Sequence, residues 1–232
     1  MFWLDASRTL ALIAMIGFHF FRDLEFFGVI VPGTTSQGSW AIAARMIAGS
    51  FIFLSGISLV IAHDAGFRPR PWAKRFAMIS GAAALVSLAT YLAIPDRFVY
   101  FGILHCLAAS SLIGAGLLFA PTWLLLALAF LIFGMDGPIG PVPSGSFWLA
   151  WTGLSSSVRP SLDFLPLIPW LGVFLAGMAC ARLIPVSRWD LPFRTTAPAR
   201  WFSWPGRHSL AVYLVHQPVL ISFIALAVWL GR

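Results

Sequence analysis

Charged residues are scarce in this sequence. Only 10% of its 232 residues are charged, whereas 59% are hydrophobic; a soluble domain carries roughly 25% charged residues. A chain with so little polar material cannot cover its own surface in water. The composition therefore excludes a soluble globular protein and predicts an integral membrane protein. We expect the lipid bilayer as its partner and a single domain over residues 1–232.

Lysine and cysteine are also rare. The net charge of +7 comes from fourteen arginines and one lysine, which stand in short loops between apolar stretches rather than in one stripe. Nucleic-acid binding is therefore not expected. The two cysteines, Cys106 and Cys180, fall in different apolar stretches, so a disulfide framework is not expected either.

Apolar stretches suited to crossing a membrane recur along the chain. A bilayer needs roughly 20 apolar residues per helix, and by that measure the sequence predicts an all-α bundle of about seven membrane-spanning helices. The first stretch contains Asp5 and lacks a basic leader, so we expect it to be retained rather than cleaved as a signal peptide. The fifth is short, and "FWLAWTGL" at 147–154 is either re-entrant or interfacial. The predicted spans are 5–22, 40–62, 73–93, 99–119, 121–135, 164–184 and 207–230.

Basic residues fall mostly on one side of this predicted bundle. Seven spans put the N-terminus and the 63–73 and 185–206 loops on the same side, which then carries ten of the fifteen basic residues. Because positively charged loops stay in the cytoplasm, we predict a cytoplasmic N-terminus. The ten are Arg8, Arg68, Arg70, Lys74, Arg75, Arg182, Arg188, Arg194, Arg200 and Arg207; the others are Arg22, Arg45, Arg97, Arg159 and Arg232.

A histidine, His19, interrupts the first span, "RTLALIAMIGFHFFRD". Ionisable residues within membranes are rare and usually face the protein interior, where they serve a function. His19 follows Arg8 by eleven residues, which is about three turns, or roughly 16 Å, along nearly the same helix face. His19 is then expected in the outer half of the membrane, as are His105 of the fourth span and Asp163 at the start of the sixth. The sequence thus predicts two imidazoles and a carboxylate near the outer surface.

Simpler interpretations exist for several polar residues. Asp163 is suited to capping its own helix, and His105 to a hydrogen-bonded packing role. His216 precedes Pro218 and is expected to bond a carbonyl that the proline leaves free. Arg45, in the second span, can extend its side chain to the interface. Interfacial positions are expected for His63 and His208.

Five segments resemble, in order, successive parts of one protein family. The arginine followed eleven residues later by a membrane histidine is similar to the first-helix pattern of the large transmembrane acyltransferase superfamily. More specifically, the segments resemble bacterial proteins with the heparan-alpha-glucosaminide N-acetyltransferase catalytic domain, over about residues 4–222. The lysosomal branch of that family has an asparagine at the place of His19. The segments are "DASRTLALIAMIGFH", "FIFLSGISL", "RFVYFGILHCLAAS", "DFLPLIPWLGVFLAGM" and "GRHSLAVYLVHQPVL".

The resemblance implies a membrane acyltransferase. It would move an acetyl group from cytoplasmic acetyl-CoA to an amino or hydroxyl group of a sugar or glycan outside a bacterial inner membrane. A neutral imidazole near the acceptor is suited to act as general base, or to take the acetyl group itself. We expect catalysis by His19, His105 and Asp163, no metal, and a second copy of the chain as a candidate partner.

Binding roles follow from charge. Coenzyme A is polyanionic, and arginine suits phosphate recognition. We therefore expect Arg8, Arg207 and Arg45 to bind acetyl-CoA, and Arg159 and His216 to contact the acceptor.

Two other classes of protein remain open. A small transporter could use the histidines as a proton relay, although the sequence has no internal repeat of the kind common in transporters. A membrane cytochrome could use His19, His105 and His216 as axial haem ligands. Substrate accumulation in vesicles without acyl-CoA would favour the first, and a visible absorption spectrum would favour the second.

Overall fold

The regular structure of the chain is helical. The computed structural model describes residues 1–135, 145–184 and 196–231, and these ranges contain eight α-helices and no β-strand. The all-α prediction is confirmed for them. Arg188, Arg194 and Arg232, which the orientation prediction counted, lie outside the described residues. The helices are α1 (Phe2–Phe26), α2 (Gly38–Ala62), α3 (Pro69–Ala93), α4 (Ile103–Gly116), α5 (Thr122–Met135), α6 (Leu167–Leu183), α7 (Ala197–Arg207) and α8 (Ser209–Leu230).

Four of these helices are long and apolar enough to cross a membrane, namely α1, α2, α3 and α8. The helices α4, α5 and α6 are apolar but have only 14, 14 and 17 residues. Each predicted span therefore coincides with a helix, while the total of about seven spans and the cytoplasmic N-terminus stay predictions. The segment "FWLAWTGL" contains a 3₁₀ helix over Phe147–Thr152, which is too short to span a bilayer.

Helix α7 corrects the sequence prediction of a loop up to residue 206. Its buried residues Ala199, Ser203 and Gly206 follow helical spacing, whereas Trp201 is 81% exposed. A helix with one small-residue face and one arginine- and tryptophan-bearing face has a low average hydropathy. A search for apolar stretches therefore does not find it.

The described chain forms two compact units, and the first joins residues 1–51 to helices α7 and α8. Within it α1 packs against both C-terminal helices. Gly206 of α7 lies directly on the carbonyl of Asp5, where any side chain would overlap it. The Thr9 hydroxyl accepts a hydrogen bond from the Gly206 N–H at 3.0 Å and lies 2.9 Å from the carbonyl oxygen of Phe202. Small residues thus let α7 approach α1 closely.

The segment after α1 is held by Glu25. Its carboxylate accepts hydrogen bonds from the backbone N–H of Gly33 at 2.5 Å and from the N–H and hydroxyl of Thr35 at 2.8 and 2.6 Å. Hydrogen bonds to an ionised acceptor are stronger than neutral ones. The link between α1 and α2 is therefore anchored to the end of α1.

The second unit runs from Ile52 through α6. Its core includes Phe174 and Met178 of α6, which are fully buried. Gly56 of α2 lies against the carbonyl of Phe174, and Gly177 of α6 lies against the carbonyl of Phe53. This reciprocal pair of glycines lets the two helix backbones touch. The prediction of a single domain over residues 1–232 stays a prediction.

Candidate functional site

Two imidazoles meet in the first unit. The ring of His19 on α1 and the ring of His216 on α8 have centroids 5.0 Å apart and planes inclined by 63°. His216 is 9% exposed, and Phe18 packs edge-on to His19 at 5.8 Å. The membrane histidine identified from the sequence therefore has a second histidine as its neighbour.

One hydrogen bond defines the tautomer of His216. Its Nδ1 lies 2.5 Å from the carbonyl oxygen of Tyr213, and because a carbonyl can only accept, Nδ1 carries the proton. In the neutral ring, Nε2 is then an acceptor, and it is buried with no hydrogen-bond partner among the described residues. The expected bond to a carbonyl is present, but it goes to Tyr213 and not to Leu214, the carbonyl that Pro218 leaves without its helical donor.

A carboxylate lies beside this pair. Asp23 follows His19 by four residues, so both project from one side of α1. Asp23 is 4% exposed, and its Oδ1 accepts a hydrogen bond of 2.8 Å from the amide Nε2 of Gln217. Gln217 is the neighbour of His216 on α8. The two helices thus contribute two adjacent polar pairs.

Four buried side-chain atoms of this cluster have no hydrogen-bond partner among the described residues. Each such atom costs about 1–3 kcal/mol compared with a satisfied one, and native structures keep few of them. Three are acceptors, since a carboxylate, an amide oxygen and the unprotonated imidazole nitrogen all accept. The atoms are His19 Nδ1, Asp23 Oδ2, His216 Nε2 and Gln217 Oε1. Such a set is complementary to a ligand rich in N–H or O–H donors.

The arginines expected to bind coenzyme A occupy different surroundings. Arg8 donates to Asp5 Oδ1 at 3.2 Å and forms an ion pair with it. Arg207 is exposed, and its guanidinium donates to the carbonyl of Arg200 at 3.2 Å. Since Gly206 rests on the Asp5 carbonyl, Arg8 and Arg207 lie at the same end of α1. Arg45 is an exposed residue of α2.

His105, in the second unit, uses both ring nitrogens locally. The backbone N–H of Gly102 donates to His105 Nδ1 at 3.3 Å, and Nε2 lies 3.2 Å from the hydroxyl oxygen of Ser87. That hydroxyl donates to the carbonyl of Val99 at 2.6 Å, so Nε2 is the donor to Ser87. His105 therefore fixes the start of α4 and links it to α3.

Asp163 supports the same helix start. Its Oδ2 accepts a hydrogen bond of 3.0 Å from the N–H of Ile103, the first residue of α4. It lies so close to Gly102 that a side chain there would overlap it. The simpler interpretation of Asp163 is that it caps its own helix. In the structure Phe164 pairs with Phe101 just before α4, so the carboxylate reaches the N–H of Ile103, which has no partner within its own helix.

The structure thus brings His19 and His216 together in one unit, and in the other unit it places His105 and Asp163 at the start of α4. Arg159, also in the second unit, lies over the ring of Phe147, 4.1 Å from its centroid.

Sequence reasoning missed Asp23 and Gln217. The spacing of four between His19 and Asp23, and the adjacency in "HQP", were signals for both. Among the described residues no group of three His, Cys, Asp or Glu side chains is placed to hold a metal ion.

Comparison with known proteins identifies the family. Residues 1–218 match the family described as heparan-alpha-glucosaminide N-acetyltransferase, catalytic. No curated protein and no solved structure matches the chain. The match covers the N-terminal helix with His19, the α4 region with His105, and α8 as far as Pro218. Together with the apolar helices it bears out the resemblance seen in the five sequence segments. The chain therefore belongs to the heparan-alpha-glucosaminide N-acetyltransferase catalytic-domain family, a family of membrane acetyltransferases.

Proposed function

We propose that this protein transfers an acetyl group from cytoplasmic acetyl-CoA to an amino or hydroxyl group of a sugar or glycan on the outer side of a bacterial inner membrane. The observation that carries the proposal is the cluster of His19, Asp23, His216 and Gln217, with its buried and unpartnered polar atoms. An acetyltransferase needs a group that removes a proton from the acceptor at the moment of attack. An imidazole inside a membrane helix is suited to that step.

The polarity of the cluster supports a sugar acceptor. Three of its unpartnered atoms are acceptors, on Asp23, His216 and Gln217, and an amino sugar presents several hydroxyl donors together with an amine. Binding such a ligand would satisfy atoms that otherwise stay buried without partners. An acceptor lacking these donors would leave them unpaired, which is how polar sites gain specificity.

His19 is the catalytic residue in this proposal. It takes the proton from the acceptor amine or hydroxyl while that group attacks the thioester carbonyl. The carbon–sulfur bond breaks, the coenzyme leaves as a thiolate, and the proton passes to that sulfur. His216 and Asp23 lie beside His19 and contact the acceptor. Catalytic roles are expected for His105 and Asp163 from the sequence, but since their contacts hold the start of α4, we propose structural roles for both.

Coenzyme binding is assigned to arginines at the N-terminal end of α1. Arg8 and Arg207 lie at that end, and guanidinium groups bind phosphates through paired hydrogen bonds. We keep Arg45 as a further candidate for this role, and Arg159 as one for the acceptor. The exposed guanidinium of Arg207 is available without breaking an ion pair, whereas Arg8 would exchange Asp5 for a phosphate or bind both.

Transfer can be measured directly. Membranes that contain the protein are incubated with acetyl-CoA labelled in the acetyl group and a panel of amino sugars and glycans; membranes without the protein serve as control. We expect labelled acceptor that requires both the protein and an acceptor with a free amine or hydroxyl. Absence of label on every acceptor, with coenzyme A release at the control rate, would contradict the proposal.

A further inference from the structure

A separate cavity lies in the second unit, between the end of α2, the start of α3 and the middle of α4. Its volume is about 190 Å³. The residues that matter for its chemistry are His63 at the end of α2, and Arg68, Trp72 and Arg75 at the start of α3. Ser111 of α4 also lines it. None of these residues was given a role in acetyl transfer above.

Two polar atoms at this cavity lack partners among the described residues. His63 is 7% exposed; its Nδ1 lies 2.8 Å from the carbonyl of Leu59 and must donate to it. Its Nε2 is buried without a partner, and so is the indole Nε1 of Trp72. The indole N–H can only donate, and Nε2 of the neutral imidazole accepts. The first atom is therefore complementary to a phosphate oxygen, and the second to a hydroxyl group of the same ligand.

An aromatic stack holds these two side chains in place. The His63 ring lies on Phe67, with centroids 5.3 Å apart and planes inclined by 24°. Phe67 contacts Trp72 at 5.9 Å, and Trp72 stacks on Phe76 at 5.3 Å with an inclination of 15°. Groups fixed in this way lose little conformational entropy when a ligand binds. Both side chains are thus preorganised.

The charge around the cavity selects an anion. Two arginines, Arg68 and Arg75, line it, and none of its lining residues is acidic. It lies at the N-terminus of a 25-residue helix, where the helix dipole favours negative charge. Pro69 and Pro71 have no N–H, so in the first turn of α3 side chains must supply most of the donors. The indole of Trp72 and the guanidinium of Arg68 can supply these donors.

We propose that this cavity binds a phosphate group, held by the Trp72 indole N–H and the Arg68 guanidinium, with a hydroxyl group of the same ligand bound to His63. The inference rests on residues other than those given a role in acetyl transfer and concerns binding alone; a coenzyme A molecule bound here would be in addition to the one assigned to Arg8 and Arg207. Two sources share this chemistry, namely the phosphates of a soluble nucleotide such as coenzyme A and the headgroup of an anionic lipid. The experiment distinguishes them.

The full-length protein is purified into nanodiscs of neutral lipid, and binding of coenzyme A and of inorganic phosphate is measured by calorimetry. In a parallel arm, phosphatidylglycerol retention is measured by native mass spectrometry. Trp72→Phe keeps an aromatic ring in the stack and removes the N–H together with the five-membered ring, while Arg68→Gln removes the charge. The matched control is Arg97→Gln, because Arg97 is an exposed arginine beyond the opposite end of α3.

We expect the affinity for at least one of these phosphate ligands to fall about tenfold or more in Trp72→Phe and in Arg68→Gln, as for a lost hydrogen bond to a charged group. Arg97→Gln should bind as the wild type does. A loss in the coenzyme A arm identifies a nucleotide ligand, and a loss confined to phosphatidylglycerol identifies a lipid. The inference is overturned if the wild type binds none of the three probes, or if both variants bind them with unchanged affinity.

Discussion

Gln217 donates a hydrogen bond of 2.8 Å to the carboxylate of Asp23 and so connects α8 with α1. Gln217 is the residue after His216 on α8, and Asp23 comes four residues after His19 on α1. The hydrogen bond fixes one carboxylate oxygen and leaves the other buried without a partner among the described residues. Asp23 is thereby oriented with one oxygen available to a ligand.

Asp23→Asn tests whether this oxygen binds the acceptor. The substitution preserves size and an acceptor for Gln217 but removes the charge. The loss of a charged hydrogen bond to the acceptor should cost about 1.5–3 kcal/mol, seen as a higher KM for the amino sugar. Steady-state kinetics with varied acceptor measure this, with Asp64→Asn as control because Asp64 is an exposed carboxylate. An unchanged acceptor KM would remove Asp23 from the binding site.

His19→Asn tests the catalytic base. Asparagine keeps a hydrogen-bonding group of nearly the same volume and removes basicity. We expect kcat to fall by at least about two orders of magnitude, the usual scale for loss of a general base, with little change in the KM for acetyl-CoA. Since the lysosomal branch has asparagine here, near-normal transfer by the variant would make His19 a positioning residue only.

His105→Ala tests the structural role of His105. Removing the ring takes one acceptor from the Gly102 N–H and one donor from Ser87, so thermal unfolding should indicate a loss of about 1–3 kcal/mol. The kcat of the folded fraction should stay within about twofold of the wild-type value. His208→Ala is the matched control, as His208 is exposed. A fall in kcat of about two orders of magnitude, without loss of stability, would instead make His105 a catalytic residue.

Arg8→Ala and Arg207→Gln test coenzyme binding. Each should weaken acetyl-CoA binding by about 1.5–3 kcal/mol, as for a lost charged hydrogen bond. This should appear as a higher KM for acetyl-CoA with kcat nearly unchanged. Arg8→Lys should restore only part of the affinity, because lysine keeps the charge but cannot make a paired phosphate contact. Asp5→Asn is the control, since it removes the ion-pair partner and keeps the arginine. If Asp5→Asn raises the KM as much as Arg8→Ala does, Arg8 serves only to hold the end of α1.

Cysteine labelling tests the orientation. In a background without Cys106 and Cys180, Arg70→Cys and Gly145→Cys place single thiols at exposed positions. Because the arginine distribution predicts a cytoplasmic N-terminus, an impermeant maleimide should label intact cells only at position 145. Permeabilised cells should be labelled at both positions. Labelling of intact cells at position 70 alone would contradict the predicted cytoplasmic N-terminus and indicate the opposite orientation.

Much of the helical content could be predicted from the sequence. Long apolar stretches allow little besides helices in a membrane, because every backbone N–H and C=O must be bonded within the segment. All seven predicted spans accordingly coincide with helices. Helix α7 was missed because its contacts are with a distant part of the chain. Gly206 of α7 packs on the Asp5 carbonyl of α1, and Thr9 of α1 forms hydrogen bonds with Phe202 and Gly206 of α7. These contacts join residues nearly two hundred positions apart, and no local average of hydropathy can report them.

Composition and the five segments were enough to predict the class of protein and the family, and they singled out His19 as an ionisable residue that is rare inside a membrane helix. The partners of that histidine depend on how distant helices pack together. The proximity of His19 to His216, and of Asp23 to Gln217, depends on how α8 packs against α1. Packing also brings Asp163 to the start of α4, and it buries His63, expected at the interface, with one ring nitrogen unpartnered among the described residues. The physical reason is the same in each case: a side chain's type and spacing follow from its own helix, but its hydrogen-bond partners belong to whichever helix packs against it.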